Sequence, residues 1–421
     1  MSSDKFLDRL PKYRLIAALL ILLTVVVCSI EQISYVHWGS DPRVFLHAAR
    51  LMLQGGDIVN IPNAFGLYYV YPPFFAFLYI PLLILPTKAV IVLWTIVSVI
   101  LLGWSMAAFY SGMTGRPFLS IPARTRWVVF SFVLVLTARF IFFHLQGGQS
   151  DIIVLALSVF GLVLLSRKQE LPAGLAFGLS IVLKITSVPF VFWFLAKRSG
   201  KVLAGMVLGC LVAVTLPALI VGPQKDLYYH REWFKQVFTS NSVALGVPSG
   251  VGNLSMRAQL GRFFQRTTPF TYRGRGYQFT IVELQPRAII IVSLLITGAV
   301  AAAIVWYAVH YRNASPLISE WGGYALVFGL IPTFSTWTEI HHLVLLVPSY
   351  LYVVHLWYSQ LVTDPWFKVL VVLSFIFLTL TTKSLCGTFL SQVLTSLGFI
   401  NYGLLLLSTA IFRAANRLTA D

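Results

Sequence analysis

The chain has 421 residues, 58% of them hydrophobic and 11% charged, with a mean hydropathy of +0.82 and a formal net charge of +17. A soluble domain carries charge at about a quarter of its positions, so this composition excludes a water-solvated globule and leaves lipid as the solvent. The positive balance reads as Lys and Arg gathered in inner loops, where they fix topology, and not as a nucleic-acid surface.

Lys5, Arg9, Lys12 and Arg14 put the N-terminus in the cytoplasm. The apolar run that follows, Leu15 to Val36, is too long for a signal-peptide core, and no small-residue cleavage site follows it. It is expected to be an uncleaved signal anchor and first span, leaving the bilayer near His37. The stretch 37–66 is polar, holds Asp41 and Asp57, and faces outward. Two apolar runs come next, 67–86 and 88–110, separated by Pro86-Thr87-Lys88. If both crossed, the loop 111–126 with Arg116, Arg124 and Arg126 would lie outside, and every later basic loop would invert. If 67–86 only dips into the outer leaflet, the basic stretches at 111–126, 166–170, 197–201, 310–313 and the tail from Arg413 all fall inside. Tyr71-Pro72-Pro73-Phe74-Phe75 supports the second solution, because paired prolines suit a helix start.

The remaining spans are expected at 127–144, 150–166, 171–196, 202–222, 288–310, 318–336, 342–358, 366–382 and 391–412. The run 171–196 begins and ends beside inner basic residues. It therefore holds two short helices meeting near Lys184-Ile185-Thr186, or a re-entrant turn. The expected fold is an all-α polytopic bundle of about 12 crossings. It forms one domain over 1–421, with juxtamembrane helices in a first outer loop, 37–87, and a long outer loop, 223–287. That long loop holds His230, Glu232, Trp233, Asn253, Arg257, Arg273 and Arg275. The Arg273–Arg275 cluster breaks the inside bias: either a loop this long escapes the charge rule, or the cluster is an anion site. Cys28, Cys210 and Cys386 lie in or beside apolar runs without paired spacing and read as small core hydrophobes.

On this topology the polar residues with chemical potential gather at the extracytoplasmic side. They are Asp41, Arg43, Asp57, Gln146, Gln149, Asp151, Lys184, Glu339, His341 and His342. Interfacial and intramembrane ionisable groups are functional candidates by default. Each also has a plainer role: Asp41 as N-cap of a helix from Pro42 to Leu53, Lys184 snorkelling to the interface, Gln146-Gly147-Gly148-Gln149 as a tight turn. Adjacent residues on a helix diverge by about 100°, which argues against His341 and His342 sharing a metal ion. Together, a carboxylate able to act as general base, cations able to hold a phosphate and an apolar groove for a lipid tail suit glycosyl transfer from a polyprenyl-phosphate sugar.

Several blocks, in the same order, resemble the GT-C superfamily of membrane glycosyltransferases and within it glycosyltransferase family 87, the polyprenol-phosphate-mannose-dependent alpha-mannosyltransferases. They are Ser40-Asp41, Leu53-Gln54-Gly55-Gly56-Asp57, Tyr69-Val70-Tyr71-Pro72-Pro73-Phe74, Gln146 to Asp151, and Leu183-Lys184-Ile185. Asn253-Leu254-Ser255 and Ser335-Thr336-Trp337 through His341-His342-Leu343 complete the set. Asp151 stands where the family pattern has Asn, Leu254 where it has Gln, and the Trp337-to-His341 spacing is looser. The resemblance implies that Asp41 deprotonates the acceptor hydroxyl, and that attack on a beta-linked donor inverts the anomeric centre to an alpha linkage. It implies donor phosphate or sugar contacts from Lys184, His341, His342 and Arg257. Acceptor or loop positioning would fall to Arg43, Asp57, Tyr71, Gln146, Gln149, Asp151, Asn253 and Trp337. Asp41 is flanked by Pro42 and Arg43 and not by a second carboxylate, so no metal is expected, and no cofactor beyond the lipid-linked donor. The expected partners are that donor, a lipid or glycan acceptor and the bilayer; the expected location is the plasma membrane, with both termini cytoplasmic. A transporter or flippase for lipid-linked sugars, or a glycan ligase, is the competing reading. Clustering at one face rather than at the midplane favours the enzyme.

Overall fold

The computed structural model describes residues 10–34, 41–239 and 249–420; Lys5, Arg9, His37 and Ser40 lie outside the described residues. The first helices are α1 (Leu10–Ser34), α2 (Asp41–Leu53), α3 (Pro73–Tyr79, prolonged by a 3-10 turn to Ile84), α4 (Thr87–Thr114) and α5 (Ala123–Gly147). Then come α6 (Asp151–Ser166), α7 (Glu170–Leu183), α8 (Pro189–Ala196), α9 (Gly200–Thr215, continued by Ala218–Val221), α10 (Pro223–Phe234) and α11 (Met256–Phe264). A small hairpin of β1 (Phe270–Tyr272) and β2 (Arg275–Tyr277) precedes α12 (Pro286–His310). The last five are α13 (Gly323–Phe334, entered through a π-helical turn from Leu317), α14 (Val347–Tyr358, entered through a 3-10 segment from Ile340), α15 (Pro365–Phe375, prolonged to Leu380), α16 (Lys383–Ser396) and α17 (Phe399–Ala420).

The chain is an all-α polytopic membrane protein. Among the described residues, seven helices are long and apolar enough to cross a bilayer, or eight if the bent pair Pro365–Leu380 and Lys383–Ser396 is one span. This is fewer than the 12 expected. The runs at 150–166 and 171–196 form helices of 10–17 residues, shorter than the roughly 20 a crossing needs; the run at 67–86, expected not to cross, is likewise short. Apolar composition alone does not separate a helix facing lipid from a short one packed in protein. The expected single span 391–412 is also corrected. Its apolar run is cut at Gly398, which takes φ 84 between α16 and α17, where Gln259 packs against it. The 90° bend between α15 and α16 leaves carbonyls without helical partners. Arg139 of α5 answers one of them, donating to the Leu378 carbonyl (2.8 Å), and also donates to the Thr381 hydroxyl (2.9 Å).

Leu317–Phe334 and Ile340–Tyr358 form the centre of the bundle, each with 83% of its apolar stretch buried, against 17% for Ile16–Ser34 at the rim. Helices α7 and α9 approach most closely. A Cβ on Gly174 or Gly178 would run into the carbonyls of Val202 or Met206, and one on Gly205 or Gly209 into those of Leu171 or Leu175. Such small-residue stripes let backbones touch where lipid offers no hydrophobic drive.

An aromatic cluster fixes the elements around Asp41. Phe45 of α2 meets Tyr71 edge-on at 4.9 Å and Phe75 at 4.6 Å, and Tyr79 packs on Trp94 of α4 at 5.0 Å. The Trp94 indole donates to the Gly148 carbonyl (2.9 Å). Gly148 itself takes φ 65 at the end of α5, and a Cβ there would stand 2.5 Å from Pro42 Cδ. Only glycine allows both the turn and the contact. The start of α2 is thereby pressed onto the turn between α5 and α6.

Candidate active site

Asp41 opens α2, and its Oδ2 accepts a hydrogen bond from the Tyr71 hydroxyl at 2.9 Å. The same hydroxyl lies 3.3 Å from Gln149 Oε1. Burial raises the Asp41 carboxyl from its ordinary value to about 7, with the Tyr71 bond and the Lys184 charge pulling the other way. A carboxyl poised there is half ionised near neutrality and can take a proton from a hydroxyl.

Lys184 lies at the break expected in 171–196. Its backbone is extended (φ −159, ψ 122) between α7 and a 3-10 turn over Ile185–Ser187. Buried hydroxyls hold that break: Ser180 lies 2.7 Å from Ser187 and 3.1 Å from Ser158, and it donates to the Val154 carbonyl. The ammonium is thus directed across to α6. It sits 2.9 Å from both oxygens of Asp151, whose side chain is fully buried in the first turn of its helix. It also lies 5.7 Å from the centre of the Tyr71 ring, within cation–π range. Tyr71 therefore touches both the Asp41 carboxylate and the Lys184 ammonium.

Two imidazoles converge on Asp151. His341 Nε2 and His144 Nδ1 each lie 3.8 Å from Asp151 Oδ2. His341 Nδ1 is 3.6 Å from Glu339 Oε2, and Glu339 Oε1 accepts from the Trp337 indole at 2.7 Å. His342 Nδ1 accepts the Glu339 backbone N–H at 2.9 Å, which leaves the Nε2 proton of the neutral ring free to donate. His341 and His342 sit on a 3-10 backbone, where adjacent residues still diverge by about 120°, and their ring centres nonetheless lie 4.3 Å apart. Asp151, His341 and His342 bring donor atoms within 4.8 Å of one another, a set able to hold a metal ion. The Lys184 ammonium beside Asp151 and the His342 Nδ1 bond leave that set partly committed. As it stands, the cluster offers an ammonium and imidazole N–H groups to an anion.

The segment that carries the histidines is clipped by the loop that holds Asn253. Asn253 Oδ1 accepts from the Thr338 and Ser255 backbone N–H groups (3.1 and 3.0 Å), and its amide donates to the Thr336 carbonyl (3.1 Å). The Leu254 N–H donates to the Thr338 carbonyl at 2.7 Å. Arg262, fully buried, ties the loop in turn by donating to the Asn253 and Ser396 carbonyls.

Other expected site residues stand further out. Gln146 donates to Glu31 of α1 (2.6 Å) and Arg43 to the Ile33 carbonyl (2.9 Å), so both tie α1 to the elements around Asp41. Asp57 accepts from the Val59 and Asn60 backbones, the Asn60 amide and the Tyr228 hydroxyl, pinning the first loop to α10. Burial works against its charge, but these donors hold its carboxyl at about 2. Trp337 is half exposed. Arg257 is buried on α11, whereas the groups meeting Asp151 are the Lys184 ammonium and the His144 and His341 imidazoles. Arg273 (φ 50) and Gly274 (φ 76) form the exposed hairpin tip, with Arg273 over the Tyr272 ring. Sequence reasoning missed His144; its position near the end of an apolar helix was the available signal.

A polytopic α-helical membrane protein with a buried acid–base and cation cluster at the junction of several helices is a membrane-enzyme architecture. The chain belongs to Glycosyltransferase family 87, whose family model matches residues 69–328. The matched region contains Tyr71, Gln149, Asp151, Lys184 and Asn253; Asp41 and the His341-His342 pair lie outside it. A curated relative from Mycobacterium tuberculosis (strain ATCC 25618 / H37Rv) is a polyprenol-phosphate-mannose-dependent alpha-(1-2)-phosphatidylinositol mannoside mannosyltransferase. It is 25% identical over 219 residues, 50% of this chain and 51% of its own length. The chain thus spans about half the length of that relative. No solved structure matches.

Proposed function

We propose that the protein transfers a hexose, mannose, from a polyprenyl-phosphate donor to a lipid or glycan acceptor at the extracytoplasmic face of the cell membrane, inverting the anomeric centre to an alpha linkage. The observation that carries this reading is the link through Tyr71 between a carboxyl near neutrality, Asp41, and a donor pocket made of the Lys184 ammonium with the His341 and His342 imidazoles. In this reading Asp41 takes the proton of the acceptor hydroxyl as that oxygen bonds to the anomeric carbon. The bond from that carbon to the phosphate oxygen breaks on the opposite side, and the polyprenyl phosphate departs with the electron pair. Lys184 and the His342 Nε2–H offset the charge developing on the phosphate, the kind of preorganised electrostatic help that dominates such steps. Asp151 orients Lys184, and the Asn253 clip sets the height of the histidines. Family membership and the donor named for the mycobacterial relative support the choice of mannose and of a polyprenyl-phosphate carrier.

The test supplies purified protein in lipid nanodiscs with mannose on polyprenyl phosphate or on a nucleotide, together with candidate lipid acceptors. The expected product forms only from the polyprenyl donor and is removed by an alpha-mannosidase. Transfer from the nucleotide donor alone, or a product resistant to alpha-mannosidase but cut by a beta-mannosidase, would contradict the proposal.

A further inference from the structure

His144 is fully buried, and among the described residues neither of its ring nitrogens has a hydrogen-bond partner. Buried polar groups are nearly always satisfied, so an orphaned imidazole calls for an explanation. Its Nδ1 stands 3.8 Å from Asp151 Oδ2, about 1 Å beyond a hydrogen bond. The backbone at this point is held, since the His144 carbonyl accepts the Gln149 N–H at the end of α5. Asp151 is equally sealed, whereas Lys184 and His341 keep 15% and 11% of their side chains accessible. An anion entering the chamber therefore meets Lys184 and His341, and does not reach His144.

We propose that His144 is a positioning residue that takes over the Asp151 carboxylate by donating Nδ1–H when Lys184 turns from Asp151 to the donor phosphate. The inference rests on the reading of this site as a polyprenyl-phosphate pocket. Lys184 serves two anions, the resident Asp151 and the incoming phosphate. A buried carboxylate stripped of its donors opposes its own ionisation, so without a substitute Asp151 would hold the ammonium back. His144 waits on the sealed side at a distance that a small side-chain rotation closes. No proton changes owner; a neutral imidazole moves its N–H onto the carboxylate.

The test measures polyprenyl phosphate affinity by fluorescence titration, together with donor KM and kcat, for the full-length protein in nanodiscs. The variants are His144→Phe, His144→Asn and His144→Phe with Asp151→Asn. The His144→Phe change is expected to weaken polyprenyl phosphate binding and raise donor KM about tenfold, the weight of one hydrogen bond to a charged group, with kcat changed far less. His144→Asn, whose amide N–H replaces Nδ1–H, should return both to within about threefold of wild type. In the Asp151→Asn background the phenylalanine should cost nothing further. Wild-type affinity in His144→Phe, a His144→Asn variant as impaired as His144→Phe, or an undiminished effect of His144→Phe in the Asp151→Asn background would overturn the assignment. A wild type that binds no polyprenyl phosphate would instead overturn the reading of the pocket, and this inference with it.

Discussion

Replacing Tyr71 by phenylalanine removes one hydroxyl and leaves the ring that packs on Phe45 and Phe75. That hydroxyl donates to Asp41 Oδ2 at 2.9 Å and helps the ionised form against burial, which holds the carboxyl at about 7. A hydrogen bond to a charged acceptor is worth about 1.5–3 kcal/mol, and one pKa unit is about 1.4 kcal/mol. Losing it should move the Asp41 carboxyl up by about 1–2 units. A general base works in its ionised form, so the alkaline-going limb of kcat/KM, centred near 7 in the wild type, should shift to about 8–9. At pH 7 the ionised fraction falls from about a half to a tenth or less, and kcat/KM should fall about fivefold to fiftyfold. It should recover to within about threefold at pH 9.5. The assay is the initial rate of sugar transfer between pH 5.5 and 9.5 by wild type and Tyr71→Phe. A uniform loss across that range with no displaced limb would refute the coupling of Tyr71 to Asp41.

Three further outcomes are expected. Lys184→Met removes the charge partner of the buried Asp151 carboxylate, leaving it only neutral imidazole donors, and should lower stability by about 3–5 kcal/mol; adding Asp151→Asn should restore thermal stability and not transfer. Asn253→Ala breaks three bonds to the 336–338 segment and to Ser255, about 1.5–4.5 kcal/mol in all, and should lower kcat more than it raises donor KM. Asp57 is held at about 2 against an ordinary carboxylate value of about 3.9. Its contribution to stability is complete above the unfolded value and lost as pH falls from about 4 toward 2. The melting temperature of Asp57→Asn should therefore lie below wild type at pH 7 and converge with it near pH 2.

Much of the scaffold was legible because its signals are local. The Pro72-Pro73 helix start, the break at Lys184 and the turn through Gly148 each rest on neighbouring residues. The candidate site was legible as a set of residues and not as a wiring diagram. Asp151 read as one more turn residue, yet it joins Lys184, 33 positions on, to His341 on a distant segment. Pairings across such separations follow from how α5, α6 and the 3-10 segment at Ile340 pack, which no periodicity encodes. Asn253 read as an acceptor-contacting or loop-positioning residue, and the backbone it clips appears only once residues 336–338 lie beside it. The expected count of about 12 spans is not confirmed for a related reason. Helices α6, α7 and α8 are as apolar as lipid-facing ones but bury much of their surface against protein.

The central claim is that Asp41 removes the acceptor proton in transfer from a polyprenyl-phosphate sugar. It is tested most directly by single-turnover transfer of radiolabelled mannose from polyprenyl phosphate, wild type against Asp41→Asn, with polyprenyl phosphate binding measured on the same preparations. The account predicts donor binding within a few-fold of wild type and a rate reduced by about a hundredfold to ten-thousandfold, the usual weight of a general base. Undiminished transfer by Asp41→Asn would contradict it.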